Sequence, residues 1–255
     1  MLRSRSRVAL YGVNTSSISD IGRVDGLFAF KDESFNKMRI FTNNGSLKNC
    51  FDEFFKKCAS FDAVICSNDF AAVSLIRNLL KIAPDELNRL KILSCAQTKL
   101  SGYYKNMLTS VNMNFEQYGK AAVFIYEKLK AHPYMSGITV TVKWTGENEK
   151  TPQHKTVTVN NSESGYEFYA DGDMRNMLTA EQILNTCSDS DRLIIMSLIS
   201  GMTIEETAGH CFLTEGGVKY RIKRILNECK LSDKSELLTL LKDYLNPIIP
   251  KTPEL

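Results

Sequence analysis

Short apolar runs alternate with amphipathic segments from Arg7 to about Lys143, and this alternation predicts a mostly parallel sheet covered by helices. The predicted strands are RVALYG, MRIFT, FDAVIC, LKILSC and GITVTVKW. The predicted helices are the stretch from Ile18 to Phe30 and the segments LKNCFDEFFKKC, FAAVSLIRNLLKI and FEQYGKAAVFIYEKLKA. The apolar residues of LKNCFDEFFKKC recur at helical spacing and form one stripe. Asp69 is expected to cap the helix that follows FDAVIC.

The pattern changes twice in the second half of the chain. Residues 145–175 are polar and rich in turn formers, with one short alternating run, TVTV, which predicts a linker carrying a hairpin or an edge strand. Beyond Met177 the pattern is purely helical until the prolines at 247–253. The expected fold class is α/β, with a small all-α domain at the end. The expected segments are an α/β lobe (1–145), a linker (146–176), an all-α helix-turn-helix domain (177–246) and a tail (247–255).

Four helices joined by short turns are predicted between residues 188 and 245. Thr203 precedes Glu206 by three residues, which is the pattern of a capping box. Thr214 is a second N-cap and opens a helix predicted from Glu215 to Lys230. Two short helices with a brief turn between them, flanked by packing helices, predict a helix-turn-helix.

The last of these two helices has an apolar face and a basic one. Four apolar residues recur at spacings of four, three and four and are expected to face the core: Val218, Ile222, Ile225 and Cys229. Four cations fall away from that stripe and are expected on the exposed surface: Lys219, Arg221, Lys223 and Arg224. Such a helix suits the major groove of DNA, although an ordinary solvated basic face has the same pattern.

From about Cys187 to Leu241 the chain resembles the LuxR-type helix-turn-helix domain. The positions that match the family pattern are Gly201, Glu206, Ala208, Val218, Lys219, Ile222, Ile225 and Leu231. The resemblance implies these DNA-binding residues: Thr203, Thr214, Glu215, Gly217, Lys219, Tyr220, Arg221, Lys223 and Arg224.

Roles within that set follow from the resemblance and from charge. Phosphate contacts are expected from Lys219, Lys223 and Arg224, and Glu215, Tyr220 and Arg221 are expected nearer the base edges. The final helix, from Ser235 to Tyr244, is expected to be the dimer surface, since paired half-sites need a two-fold protein. Gly217 stands where the family usually has threonine. With Gly216 it lowers helix propensity by about 1 kcal/mol per glycine.

From about Arg7 to Trp144 the chain resembles the second lobe of LacI-type repressors and periplasmic sugar-binding proteins. The matching positions are Arg23, Gly26, Asn68, Asp69, Pro84, Asp85, Thr109, Val111 and Gly119. In that family a small effector lies between two lobes, beyond the carboxyl ends of the strands, as is usual for open α/β sheets. The resemblance implies Arg23, Asn68 and Gln97 as effector-binding residues. Structural roles as an ion pair or a helix cap are the alternative for Arg23 and Asn68.

The length of this lobe limits the effector hypothesis. The chain begins at the first strand of the lobe, so this sequence leaves no room for the opposite lobe, and a cleft with one wall does not bury a small ligand. We therefore expect either that the sequence is a fragment of a longer regulator or that the lobe serves association with another chain.

The amino-acid composition limits which kinds of partner and binding site are expected for this protein. The 255 residues carry 32 Lys and Arg against 29 Asp and Glu, a formal charge of +3, which neither requires nor excludes a polyanionic partner. Seven scattered cysteines and three histidines, without a CxxC pair, indicate neither a metal site nor a disulfide framework, and they suit a reducing cytoplasm. No membrane partner is expected, since no run of 18 apolar residues occurs.

An enzyme is not expected. The sequence has no GxSxG and no phosphate-binding glycine loop, and Asp189 and Asp191 are expected to cap a helix rather than to catalyse. No cofactor is expected. The predicted function is a cytoplasmic, dimeric transcription regulator that binds double-stranded DNA and responds to a small ligand, a sugar or a purine. The alternative is a ligand-binding or protein-interaction module whose helical tail docks a partner protein.

Overall fold

The computed structural model describes residues 7–29, 39–43, 45–142 and 170–245. Phe30, the last two residues of GITVTVKW and most of the predicted linker lie outside these ranges. Among the described helices, none has the length and hydrophobicity that crossing a lipid bilayer requires.

Five parallel strands form one sheet in the order β2-β1-β3-β4-β5. They are β1 (Val8–Val13), β2 (Arg39–Thr42), β3 (Ala63–Cys66), β4 (Lys91–Cys95) and β5 (Thr109–Val111). The first four predicted strands are thereby confirmed. The predicted strand GITVTVKW is wrong as far as it is described, because residues 137–142 belong to no strand. The edge position is instead taken by β5, whose three residues are too few to show an apolar alternation.

Eleven helices lie in the described ranges, and the mixed α/β class with a helical C-terminal part is confirmed. They are α1 (Ile18–Ala29), α2 (Leu47–Phe55), α3 (Asp69–Ile82), α4 (Asp85–Arg89), α5 (Lys99–Gly102), α6 (Phe115–Ala131), α7 (Gly172–Thr186), α8 (Asp189–Ile199), α9 (Ile204–His210), α10 (Glu215–Cys229) and α11 (Lys234–Leu245). A short 3-10 helix follows α2 at Cys58–Ser60. The predicted helical part therefore begins at Gly172 rather than at Met177.

The stripe predicted on α2 forms the centre of the core on one side of the sheet. Phe54 is fully buried and meets Tyr11 of β1 and Phe41 of β2 edge to face, with ring centroids 5.5 Å and 5.3 Å apart. Edge-to-face pairs add about 1 kcal/mol each to the burial of the rings. This cluster holds α2 and the two strands together.

The carboxyl end of β1 bends at Gly12. Its φ is +73°, and the pairing with β2 shifts register between Tyr11 and Val13. The hydroxyl of Ser67 donates to the Gly12 carbonyl over 2.6 Å, and a Cβ at this position would lie 2.6 Å from the Cβ of Ala71. The bulge therefore requires glycine both for its backbone angle and for the close approach of α3.

The cap of α3 differs from the prediction. Asn68 is the N-cap, since its Oδ1 accepts the Ala71 N–H over 2.9 Å. Asp69 is fully buried and accepts from the hydroxyls of Ser94 (2.5 Å), Ser110 (2.6 Å) and Thr98 (3.1 Å) and from the Thr98 N–H (2.7 Å). A buried carboxylate needs such partners, and these link the loops after β3, β4 and β5. The expectation that Asp69 caps α3 is wrong because this network outcompetes the helix end.

Three carboxylates near and on α7 dock the helical part on the sheet part. Asp171 accepts the Leu47 N–H over 2.7 Å at the start of α2, and Glu181 accepts the Lys99 and Leu100 N–H groups over 2.9 and 2.7 Å at the start of α5. Asp173 forms an ion pair with Arg77 over 2.9 Å. Asp171 and Glu181 satisfy N–H groups that helices leave free at their first turn, whereas Asp173 binds a side chain.

The two parts also share one core. Met174, Met177 and Ile183 of α7 are fully buried in the same hydrophobic cluster as the sheet and α3. Arg77 of α3 stacks on the ring of Tyr244 in α11, 3.9 Å from its centroid. The helical part is thus held at a defined position against the sheet.

Candidate nucleic-acid interface

The helix pair α9 and α10 is framed by side-chain caps, as predicted. The Thr203 hydroxyl accepts the Glu206 N–H, and the Glu206 carboxylate accepts the Thr203 N–H over 2.7 Å, which completes the capping box. Thr214 caps α10 by accepting the Gly217 N–H over 3.1 Å. Both hydroxyls are exposed at the helix starts.

The turn between α9 and α10 has a defined geometry. Phe212 adopts a left-handed backbone, φ +55°, and the Leu213 N–H donates to the Ala208 carbonyl over 2.9 Å. This is the six-to-one bond of a Schellman motif, which sets the direction in which the chain leaves a helix. Gly201 ends α8 in the same way, as predicted. The side chain of Phe212 is 95% exposed at the tip of the turn.

The predicted apolar face of α10 is buried. Val218, Ile222, Ile225 and Cys229 are at most 9% exposed. Val218 and Ile222 pack in a small cluster with Ile194 and Leu198 of α8 and Ala208 of α9. The two helices of the pair therefore share a core with α8.

A buried ion-pair cluster fixes α10 on α8. The Asp191 side chain is 0% exposed and accepts from the guanidinium groups of Arg221 over 2.9 Å and Arg224 over 2.5 Å. The same carboxylate completes a capping box with Ser188, so the predicted capping role of Asp191 is confirmed. Burial alone would raise the pKa of Asp191, but the bonds from Ser188 and Arg221 outweigh it and lower that pKa to about 2.

Arg221 and Arg224 are therefore not on the outer face of α10. The expectation that both fall away from the core is wrong, because a buried carboxylate 30 or more residues earlier in the chain draws them inward. Their side chains are only 31% and 35% exposed. Both arginines anchor the helix through Asp191. The base-edge role of Arg221 and the phosphate role of Arg224 stay predictions.

The exposed ridge of α10 consists of Lys219, Tyr220 and Lys223. Tyr220 is 70% exposed, and Lys223 is exposed with no ion-pair partner among the residues that the structure describes. Lys219 forms a surface pair with Glu215 over 2.8 Å. Surface pairs of this kind contribute about 0.5 kcal/mol, so Glu215 holds Lys219 only weakly. The ridge thus presents two exposed cations beside one aromatic ring.

Replacing a glycine at the start of α10 should stabilise the folded protein. A Cβ at Gly216 meets only the Thr214 hydroxyl, at 3.9 Å, and the residue is in the first turn of the helix. We expect Gly216→Ala to raise the free energy of unfolding by about 0.5 to 1 kcal/mol through helix propensity alone. Urea denaturation followed by circular dichroism measures this. An unchanged or lower unfolding midpoint would contradict this prediction. Gly209→Ala is the matched comparison, because a Cβ at Gly209 would meet nothing within 4 Å.

The apolar side of the predicted dimer surface on α11 is buried within the chain. Leu237, Leu241 and Tyr244 are at most 2% exposed and belong to the shared core. The side chains of α11 that stay exposed are polar: Lys234, Ser235, Glu236, Thr239, Lys242 and Asp243. The apolar side of α11 already covers α7 and α8 and does not pair two copies. The expected dimer surface from Ser235 to Tyr244 stays a prediction for the exposed polar side of this helix.

The predicted effector residues lie near one another at the carboxyl edge of the sheet. Asn68 follows β3 and Gln97 follows β4. Burial raises the pKa of the Cys95 thiol, and Arg23 in α1 is close enough to counteract this rise in part. Arg23 forms an ion pair with buried Asp20 over 2.5 Å, and Asn68 caps α3. Gln97 is exposed in a left-handed conformation, φ +54°. The structural alternatives for Arg23 and Asn68 are thus both present.

The comparisons with known proteins find likeness only among solved structures. No family model and no curated protein sequence matches the chain. The two-component response regulator RcsB in a complex with DNA is 10% identical, with 94% of this chain and 98% of that chain covered, at a TM-score of 0.34. RcsB of Salmonella enterica serovar Typhimurium bound to a promoter is also 10% identical, with 94% of this chain and 98% of that chain covered, at a TM-score of 0.32. Full-length FixJ of B. japonicum is 10% identical, with 95% and 98% covered, at 0.26.

The similarities to these structures assign no family. The periplasmic-binding-type identity of the lobe is not confirmed either, because the strand order of this sheet also occurs in flavodoxin-like proteins.

Proposed function

We propose that the protein is a transcription regulator that binds double-stranded DNA with α9 and α10. The observation that carries the proposal is the anchoring of α10. Its back is buried, its two arginines are bound to Asp191, and Lys219, Tyr220 and Lys223 remain in solvent on one side. A rigid helix with an outward basic ridge suits the width of the major groove.

The exposed ridge and the first turn of α10 have different roles in the proposed DNA binding. Lys219 and Lys223 supply cations for phosphate oxygens, which provide affinity that depends on salt concentration. The Glu215 and Gly216 N–H groups lie in the first turn of α10 and favour an anion at the start of this helix. Tyr220 lies between the lysines and is the side chain best placed for base edges, with Thr203, Thr214 and Gly217 at the flanking helix starts. In this proposal the role is binding and not catalysis.

Replacing Lys223 tests the proposal directly. We expect Lys223→Ala to weaken binding to promoter DNA and to reduce the slope of log K against log salt by about one, because one phosphate contact is lost. Titration of labelled DNA at several salt concentrations measures both quantities. Lys81→Ala is the matched control, since Lys81 is also exposed but lies in the last turn of α3.

Two outcomes would count against DNA binding. One is the absence of salt-dependent binding by the unaltered chain, and the other is an equal effect of the Lys81 and Lys223 substitutions. If calorimetry detected binding of sugars or purines and the chain had no affinity for DNA, the alternative would be favoured. That alternative is a ligand-binding or protein-interaction module.

Sensing of a sugar or purine through Arg23, Asn68 and Gln97 stays a prediction. A ligand at this edge would compete with Asp20 for the Arg23 guanidinium and with the Ala71 N–H for the Asn68 side chain.

A further inference from the structure

Helix α6 is long, and no residue in it is buried. Phe115, Val123 and Tyr126 are 60%, 58% and 64% exposed, and Phe124 is 48% exposed. Large apolar side chains grouped on one exposed element are typical of an association surface. The helix follows edge strand β5, which has no neighbour on its outer side among the described residues.

The three most exposed large apolar side chains of α6 fall on one side of the helix, whereas Tyr118 and Phe124 are exposed on other sides. At 3.6 residues per turn, Phe115, Gly119, Ala122, Val123 and Tyr126 lie within a single stripe, which we call the α6 face. Ala121, Ile125 and Leu129 lie to one side of it and are the partly buried positions of the helix. The α6 face therefore adjoins the partly buried side of the helix and is itself exposed among the residues that the structure describes.

We propose that the α6 face binds the same face of a second copy of this chain, with the two helices antiparallel about a two-fold axis near Ala122. A two-fold contact must be self-complementary. With the axis between Ala122 and Val123, the glycine at 119 faces the tyrosine at 126 of the other copy. A Cβ at Gly119 would meet nothing within 4 Å, so this position leaves open space for an aromatic ring.

The charges at the two ends of α6 favour the antiparallel orientation. The first turn carries Glu116, and the last turn carries Lys128 and Lys130. An antiparallel copy brings the acidic end of each helix beside the basic end of the other, and a parallel copy would bring like charges together. Glu116 also forms an intrahelical pair with Lys120 over 2.6 Å, which leaves its carboxylate on the helix surface and within reach of a second cation.

The proposal is independent of DNA binding, because it concerns the mass of the free protein. The test uses the full chain and the Gly119→Glu variant in sedimentation equilibrium. We expect the unaltered chain to form a particle of twice 28.8 kDa, and Gly119→Glu to remain at 28.8 kDa at the same concentration. Glutamate is a better helix former than glycine, so loss of the dimer would not reflect a broken helix.

Gly22→Glu is the matched control. Gly22 is also an exposed helical glycine with open space at its Cβ, but it lies in α1. This variant should keep the mass of the dimer. A monomeric unaltered chain would overturn the proposal, as would equal dissociation by both substitutions. If another segment of the chain covered α6, the protein would be monomeric at every concentration.

Cysteine cross-linking tests the orientation. In a Cys211→Ser background, since Cys211 is the one native thiol that is not buried, Ala122→Cys should oxidise to a covalent dimer. Phe115→Cys should not, because antiparallel helices place the two copies of residue 115 about 22 Å apart along the axis. Cross-linking through Phe115→Cys would indicate parallel helices, and failure of Ala122→Cys in a dimeric protein would place the contact elsewhere. Either result overturns the proposal.

Discussion

Asp191→Ala should lower the free energy of unfolding by about 3 kcal/mol, because it leaves two guanidinium groups without their partner. The carboxylate is 0% exposed and binds both Arg221 and Arg224 as well as the Ser188 backbone. The substitution therefore removes a helix cap and the anchor of α10 together. Chemical denaturation monitored by circular dichroism measures the loss.

Asp189→Ala is the control for this prediction. Asp189 lies in the same first turn and carries the same charge, but its side chain is 97% exposed, and its one ion pair among the described residues is with Arg192. Its removal should cost less than about 1 kcal/mol, as for other surface pairs. Equal losses for the two variants would show that the Asp191 cluster contributes no more than a surface charge.

The same cluster makes stability depend on pH in acid. The folded pKa of Asp191 is about 2, below the value of about 3.9 for an unfolded aspartate. A carboxylate with a lowered folded pKa stabilises the fold above its unfolded pKa and loses that contribution as the pH falls through the folded pKa. The difference in stability between the unaltered chain and Asp191→Ala should therefore shrink between about pH 4 and pH 2. A difference that stayed constant over this range would contradict the assignment.

Gly12→Ala should also destabilise the fold by about 3 kcal/mol. Its φ of +73° costs a non-glycine residue about 1 kcal/mol, and the new Cβ would lie 2.6 Å from the Cβ of Ala71. Relieving that overlap moves α3 away from β1, which costs about 1 to 3 kcal/mol in a packed core. The unfolding midpoint in urea gives the change.

Gly26→Ala is the control for the bulge. Gly26 has ordinary backbone angles in α1, and a Cβ there meets nothing within 4 Å. Its substitution should leave stability unchanged or raise it slightly. A Gly12→Ala protein as stable as the unaltered chain would show that α3 moves freely relative to β1.

Much of the local structure was predictable because its causes lie within a few residues. The capping box at Thr203 and Glu206 depends on a spacing of three, and the buried face of α10 on the helical period. The first four strands were visible as short apolar runs bounded by polar turns. The strand predicted at GITVTVKW shows the limit, since alternation alone does not provide a hydrogen-bonding neighbour.

The candidate site was predictable in its position and only partly in its chemistry. The sequence located α9 and α10 and the cations of α10. It did not show that Arg221 and Arg224 bind a carboxylate on another helix, because that pairing depends on how α8 and α10 cross. The signal that hinted at it was an aspartate at the third position of a capped helix, which local reasoning explains fully as a cap.

The sequence by itself determined the first four strands of the sheet, the α/β class and the helix pair α9 and α10, since periodicity and capping act over one or two turns. Tertiary structure decided which charged side chains form ion pairs within the fold. It bound Arg23 to Asp20, Arg77 to Asp173 and two arginines of α10 to Asp191. It also left every residue of α6 at least partly exposed among the described parts of the chain. Burial and distance between remote residues set these outcomes, and neither is a property of a short stretch of chain.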